Sequence, residues 1–331
     1  MLAKPSPTGG LLVPTEFTRS EFKVMGTESE LIMSGPDAPP VELLQGRLCE
    51  LEERWSRFLP NSELSLIGNS APRRWILSPD TSMLIERAIW AWTATGGLFD
   101  PTVRDAVIAA GYVDSFEHLQ DQVPTMGAAL AAPGCADIEL DSELWLLRLP
   151  KGVSIDPGGI GKGLAADLVA VLAVELGAES ACVSLGGDLR VAGAIPAQGW
   201  ELELDHQIAP LARVNLHSGA IATSSTLRRR WSTTTGIAHH VMDPRTGRPS
   251  TGSAVACSVI AGAAWWAEAV ATALLVGWGD PETRTEELLE LLEYGGALIT
   301  RADGEQLRVG RYRESFSLGA RSSQNTDRRS A

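Results

Sequence analysis

The chain has 331 residues, 44% of them hydrophobic and 21% charged, a balance that suits one sizeable soluble domain and offers no run long enough to span a membrane. Its formal charge of −13 argues against binding driven by nucleic-acid or anionic-membrane phosphates, because both need a basic face. A phosphate ligand would have to be met locally, by backbone amides, a Lys or Arg, or a divalent metal.

The four cysteines, Cys49, Cys135, Cys182 and Cys257, form no CxxC pair, which points to buried reduced thiols rather than a zinc site or disulfide framework. Residues 1–18 are rich in Pro, Gly and Thr and read as a flexible N-terminal segment. They carry no apolar signal core and no lipidation cysteine, so the expected location is cytoplasmic, without membrane insertion.

Residues 19–34 read as two strands around a turn at Met25-Gly26-Thr27. Val41, Leu44, Leu48, Leu51, Trp55 and Phe58 recur at helical spacing, which predicts an amphipathic helix over 40–58. Asp80, Thr81 and Ser82 offer caps for a second helix through Trp92, closed by Gly96-Gly97. Residues 138–149 alternate like a hairpin, followed by a strand at 152–155, a Gly-rich turn and a helix from Lys162 to about Leu176. Short strand candidates follow at 181–194, 200–205, 211–217, 220–223, 238–242 and 254–261. Helices are expected at 264–277 and 281–293, the second capped by Asp280 with Pro281 at its first position. A strand pair over 295–309 and a polar, disordered tail at 316–331 complete the chain. With no repeat and no break in composition, the reading is a single α+β domain over 19–315, with mixed or antiparallel sheets and flanking helices.

The densest chemical signal is Ser154-Ile155-Asp156-Pro157-Gly158-Gly159-Ile160-Gly161-Lys162-Gly163, leading into a helix. Its glycines let backbone approach a ligand, and the helix start presents free amides to an anion. It is neither a Walker A loop, since Gly163 follows Lys162, nor a Rossmann turn, since Leu164 takes the last glycine position. A tight turn that binds nothing fits the same letters equally well. The second signal, Ala238-His239-His240-Val241-Met242-Asp243-Pro244, puts adjacent histidines on a strand entering a turn, where at most one faces a given site. The third is Glu268 and Thr272, one helical turn apart among Ala, Val and Leu, an oxygen pair suited to a hard cation. Glu268 at an exposed edge, with Thr272 bonded back to its own helix, is the alternative. Lesser signals are the loops Gly96–Thr102, Ser184–Asp188 and Ala222–Ser225.

Taken in order, VMGTESELIM, NSELS, GGLFDPTV, SIDPGGIGKGLAADL, CVSLGGDLRVAG, AIATSS, HHVMDPRTGRP and AEAVATALLV resemble the ApbE family of FAD:protein FMN transferases. The resemblance implies a single α+β, T-fold-related domain that holds FAD as bound substrate and moves FMN to a Ser or Thr of an acceptor protein with Mg²⁺, or Mn²⁺, assistance. It further implies that Met25 and Phe58 pack on the flavin or adenine and that Leu98, Phe99 and Asp100 line the pocket. Asp156 and Lys162 would be polar contacts to the dinucleotide, with Met242 against it. The metal would take the Gly159 and Ala271 carbonyls and the Glu268 and Thr272 side chains, and His240 would be the base. Three positions depart from the family pattern: Glu268 stands for Asp, Gly68 for Asn with Asn69 one residue late, and Ser225 for Gly. Glu268 motivates two other readings, a non-catalytic FAD carrier or sensor and an FAD pyrophosphatase releasing FMN and AMP.

Overall fold

The computed structural model describes residues 17–68, 74–114, 116, 123–196, 199–234, 236–283, 285–292 and 295–319. Asn69 therefore lies outside the described residues, as do 1–16 and 320–331.

The chain opens with a hairpin, β1 (Thr18–Val24) and β2 (Thr27–Ser34), whose turn residues Met25 and Gly26 both have left-handed φ, 53° and 63°. That pairing is the hairpin turn whose twist matches the strands, at a strain cost for the non-glycine Met25. Four helices and a strand follow: α1 (Val41–Trp55), α2 (Glu63–Gly68), β3 (Arg74–Ile76), α3 (Pro79–Ala94) and α4 (Arg104–Ala109). Next come β4 (Glu139–Asp141) and β5 (Leu146–Arg148), which with β3 form a small sheet. The Gly-rich segment leads into α5 (Gly161–Glu175). Strands β6 (Ser180–Leu185), β7 (Asp188–Gly193), β8 (Trp200–Leu204), β9 (Ala212–Leu216) and β10 (Gly219–Ser225) come in quick succession. Two short ribbons, β11 (Arg230–Thr233) with β12 (Gly236–His239) and β13 (Met242–Asp243) with β14 (Arg248–Pro249), precede β15 (Ala254–Ala261). The chain then runs through α6 (Ala264–Gly277), α7 (Thr285–Glu290), β16 (Gly296–Arg301), β17 (Gln306–Gly310) and β18 (Phe316–Leu318).

Eight of these strands build one antiparallel sheet in the order β1-β2-β6-β7-β10-β15-β16-β17. Side chains alternate across it, so each strand feeds two cores. Leu31, Val183, Ala222, Val259 and Ile299 face the helices. Ile32, Cys182, Ile221, Ile260 and Leu298 face the smaller sheet β18-β9-β8, packing on Trp200, Val214 and Phe316. Helix α6 is buried on nearly every side, and its Ala-rich sequence lets α5 and the sheet approach it closely. Of the cysteines, Cys135, Cys182 and Cys257 are buried and free, whereas Cys49 is exposed.

Four local expectations are corrected. Residues 152–155 form no strand: Gly152 lies in a turn with φ 81°, and Asp156 N–H donates to the Pro101 carbonyl (2.7 Å). The cap of α3 is Ser78, whose Oγ accepts from Thr81 N–H, with Pro79 opening the helix. Asp280 caps only a turn at Glu282, and the helix there spans Thr285–Glu290. The tail begins later than residue 316, because Phe316 is fully buried in β18, where its side chain completes the small-sheet core.

Gly163 is where α5 crosses the start of α6: a Cβ there would run into the Ala264 carbonyl and the Trp265 amide. Gly163→Ala must push two packed helices apart, so we expect it to lower stability by about 1–3 kcal/mol, read as a lower melting temperature by circular dichroism.

Candidate functional site

Glu268 lies 3% exposed in α6, far from the exposed edge that the alternative reading required. Both of its oxygens are engaged across the α5–α6 crossing. Oε1 accepts from the Lys162 ammonium, and Oε2 accepts from Gly163 N–H at 2.8 Å. The same ammonium donates to Asp188 Oδ2, and Asp188 Oδ1 accepts from Thr223 N–H at 3.3 Å. Burial works against the Lys162 ammonium, but Asp188 and then Glu268 carry its pKa above the ordinary value. Burial holds the Glu268 carboxyl above its usual range, opposed by Lys162 and reinforced by Asp188. Lys162 therefore stays an ammonium, held between the Glu268 and Asp188 carboxyl groups in a buried bridge.

Beside the bridge, Thr272 Oγ1 and Ser224 Oγ share a hydrogen bond of 2.9 Å. Gly159 lies against them: a Cβ on it would stand 3.5 Å from Thr272 Oγ1 and 3.0 Å from the Phe99 ring. Because Gly163 N–H turns to Glu268, the Gly159 carbonyl accepts no hydrogen bond among the described residues. Gly159, Glu268 and Thr272 are thus brought together. Ala271, fully buried in mid-helix, has its carbonyl in the helix ladder, which sets it apart from the other three.

The 98–100 loop packs as an internal brace. Leu98 and Phe99 are buried, and Asp100 accepts from Thr102 N–H (2.7 Å), Thr102 Oγ1 (2.5 Å) and Trp92 Nε1 (3.1 Å). Asp156 Oδ1 accepts from Gly158 N–H (2.8 Å), and its Oδ2 lies 3.5 Å from Arg57 Nε. Arg57 in turn stacks over the Phe58 and Tyr112 rings, 4.3 and 4.5 Å to their centroids. Phe58 is 39% exposed, an aromatic face that the fold leaves open. Met25 is half-buried against the main core, and Met242 is buried in a separate cluster with Tyr112 and Trp231. Glu63, from the NSELS segment, is a fastening: it accepts from Ser78 N–H, Ser78 Oγ and Thr81 Oγ1, each at 2.6 Å, and so pins the start of α3.

The strand expected over 238–242 is broken: β12 ends at His239, and His240 lies in a bend before β13. His239 Nε2 meets the Ser250 carbonyl at 3.0 Å, and the buried Nδ1 atoms of both His239 and His240 have no partner among the described residues. Burial first, then the positive charges of Arg229, His239 and Lys162, press the His240 pKa well below its ordinary value, so the ring is neutral at pH 7. Arg229, held at φ 45°, therefore stands close enough to act on both His240 and Lys162.

The ApbE family model matches residues 25–294, which include every one of these groups. The chain belongs to the ApbE family. It is 27% identical over 277 residues to the FAD:protein FMN transferase of Escherichia coli K12, covering 79% of each chain. To that of Salmonella typhimurium it is 29% identical over 273 residues, covering 77% of each. Among solved structures, the flavin transferase ApbE from Vibrio cholerae superposes with a TM-score of 0.75 at 21% identity, over 92% of this chain and 100% of that one. The ApbE protein of Thermotoga maritima superposes with a TM-score of 0.73 at 24% identity, over 88% and 96%. These likenesses show that the fold is the α+β fold of ApbE proteins.

In this ApbE chain no three His, Cys, Asp or Glu side chains converge into a metal cage among the described residues. What is present fits a hard cation that completes its shell elsewhere. There is one unclaimed carbonyl, one hydroxyl, and a carboxylate using two of about four acceptor sites. Sequence reading gave no role to Arg57 and Arg229, and flagged Asp188 and Ser224 only as parts of loops. Asp188 closes the SLGGD segment singled out earlier, but nothing in that segment says which distant side chain it meets.

Neither of two hollows is lined by Glu268, Lys162, Asp188 or Thr272. A groove of about 430 Å³ is lined by residues including Arg87, Leu168 and Trp265. A smaller one of about 60 Å³ borders Thr223 and the buried His206. His206 bridges Thr300 Oγ1 (2.6 Å) and Ser258 Oγ (2.8 Å), and Ser258 continues to Thr223 Oγ1 (2.7 Å).

Burial lowers the His206 pKa from 6.5 to about 4. Between those values the unfolded chain binds the proton and the folded chain does not, so stability falls as pH drops from about 6.5 toward 4. The loss should approach about 3 kcal/mol. Urea melts of the wild type and His206→Gln across this range test it: the variant should lose much of the slope, and an unchanged slope would assign it to other groups.

Proposed function

We propose that this chain transfers FMN from FAD to a Ser or Thr hydroxyl of a partner protein and releases AMP, with a divalent cation, Mg²⁺ or Mn²⁺, held by Glu268, Thr272 and the Gly159 carbonyl. The observation that carries the reading is the buried Glu268–Lys162–Asp188 bridge beside a free carbonyl and a hydroxyl, in a chain of a family whose named relatives are FAD:protein FMN transferases. Such a bridge is a poor choice for stability alone, since a buried ion pair seldom outperforms apolar packing.

The acceptor oxygen attacks the flavin-side phosphorus of FAD. A new P–O bond forms there, the bridging P–O bond breaks, and AMP departs with that electron pair. A bound divalent cation would supply charge neutralisation on the phosphates. The chain's own groups do the rest. Phe58 offers an open ring face for the flavin or the adenine, with Arg57 stacked against it. Arg229 brings a positive charge to the site in an otherwise acidic protein, suited to a pyrophosphate.

His240 takes the acceptor's proton at a ring nitrogen. It is neutral at pH 7, and its buried Nδ1, like that of His239, has no hydrogen-bond partner among the described residues, unlike most buried polar atoms. The charges that depress its basicity, Arg229 and Lys162, are the ones a bound pyrophosphate would offset. Its strength as a base thus rises when substrate is in place.

The test is incubation of the purified protein with FAD and Mg²⁺, with and without a peptide carrying an acceptor Thr, followed by mass spectrometry. Peptide heavier by one FMN with matching AMP is expected. FMN and AMP without modified peptide would mean hydrolysis, and intact bound FAD would mean a carrier. His240→Ala should slow transfer by about 10²–10⁴-fold while FAD affinity stays unchanged; full-rate transfer by that variant would remove His240 from the mechanism.

A further inference from the structure

The commitment of both Glu268 oxygens within the folded chain has a consequence for any cation that binds there. Lys162 donates to Glu268 Oε1 and Asp188 Oδ2 at once, and Gly163 N–H holds Oε2 at 2.8 Å. A divalent ion on Glu268 would share one small carboxylate with an ammonium, and two positive centres a few ångströms apart in a buried site repel strongly. Asp188, 2% exposed and anchored by Thr223 N–H, offers the ammonium a second seat that needs no movement of the backbone.

We propose that Lys162 is a resident cation that competes with the divalent ion for Glu268, and that Asp188 sets the outcome by retaining the ammonium when Glu268 is given up. The proposal rests on the reading that Glu268 is a metal ligand. The cluster carries two formal negative charges and one positive one, a net −1. Entry of a dication is an exchange in which Glu268 trades the ammonium for the metal while Lys162 stays paired to Asp188.

Opposite effects of two substitutions follow. Asp188→Asn removes the second seat, so the ammonium falls back wholly on Glu268 and metal binding weakens. Lys162→Met combined with Asp188→Asn removes the competitor and keeps the cluster at net −1, so the long-range attraction for a cation is unchanged and binding tightens. A purely structural role for the bridge would weaken binding in both.

Mn²⁺ alone is titrated into the full chain, without FAD and again with FAD bound, and free Mn²⁺ is followed by electron paramagnetic resonance; folding of each variant is checked by circular dichroism. Each shift should be about tenfold, the scale of one charge-assisted hydrogen bond. Tighter binding by the double variant together with weaker binding by Asp188→Asn supports the exchange. Binding by the double variant equal to or weaker than the wild type, with Glu268→Ala abolishing it, overturns the exchange and leaves the metal reading standing. Mn²⁺ binding that is absent in the wild type, or indifferent to Glu268→Ala, overturns both. Should the double variant fail to fold, Asp188→Asn decides alone: unchanged or tighter binding there ends the proposal.

Discussion

A carboxylate buried in an apolar helix is costly unless opposite charge comes to it. Here Glu268 sits in α6 among alanines and valines, and the helix that could bring a charge, α5, must come very near to do so. Gly163 permits that approach, since any side chain at the crossing would strike the backbone of α6. The same residue's amide then bonds Glu268, and its neighbour Lys162 delivers the ammonium. Packing and electrostatics are therefore one constraint: loosening the crossing would leave a buried charge unpaired, which is far more damaging than a lost contact.

The sheet extends this constraint outward by its two-residue period. Ser224 faces the helices and meets Thr272, whereas Thr223 faces the small sheet and joins Ser258 and His206. Its backbone amide, in line with neither face, reaches Asp188. One short stretch of β10 thus connects the ion bridge, the hydroxyl pair and a buried polar chain. A neutral His206 between two hydroxyls satisfies groups that could otherwise not be buried.

On the other side, the loops bring further polar and aromatic groups near the bridge's helices. Asp100 and Glu63 spend their charge on fastening their own segments, while Arg57 stacks on Phe58 and the Gly159 carbonyl is left unbonded among the described residues. Arg229 is held in a left-handed conformation that only a determined surrounding structure maintains. From there its charge acts on His240 and Lys162 together, linking that histidine to the bridge.

The sequence by itself determined much of this arrangement. Helix α6 was legible to the residue from apolar run and flanks, and the family from its ordered motifs, because helical spacing and glycine placement are local properties. Its weaker readings failed where local signals competed. Three adjacent polar residues at 80–82 looked like caps, although the cap is Ser78 ahead of a proline. A short polar-looking end hid Phe316, whose place in the core depends on pairing with β9 about a hundred residues earlier. Only the tertiary structure decided what the site's charges do. Lys162 meets Asp188 across 26 residues and Glu268 across 106. No spacing rule spans such separations, because partners that far apart are chosen by which faces the fold brings together and by the cost of leaving a buried charge alone.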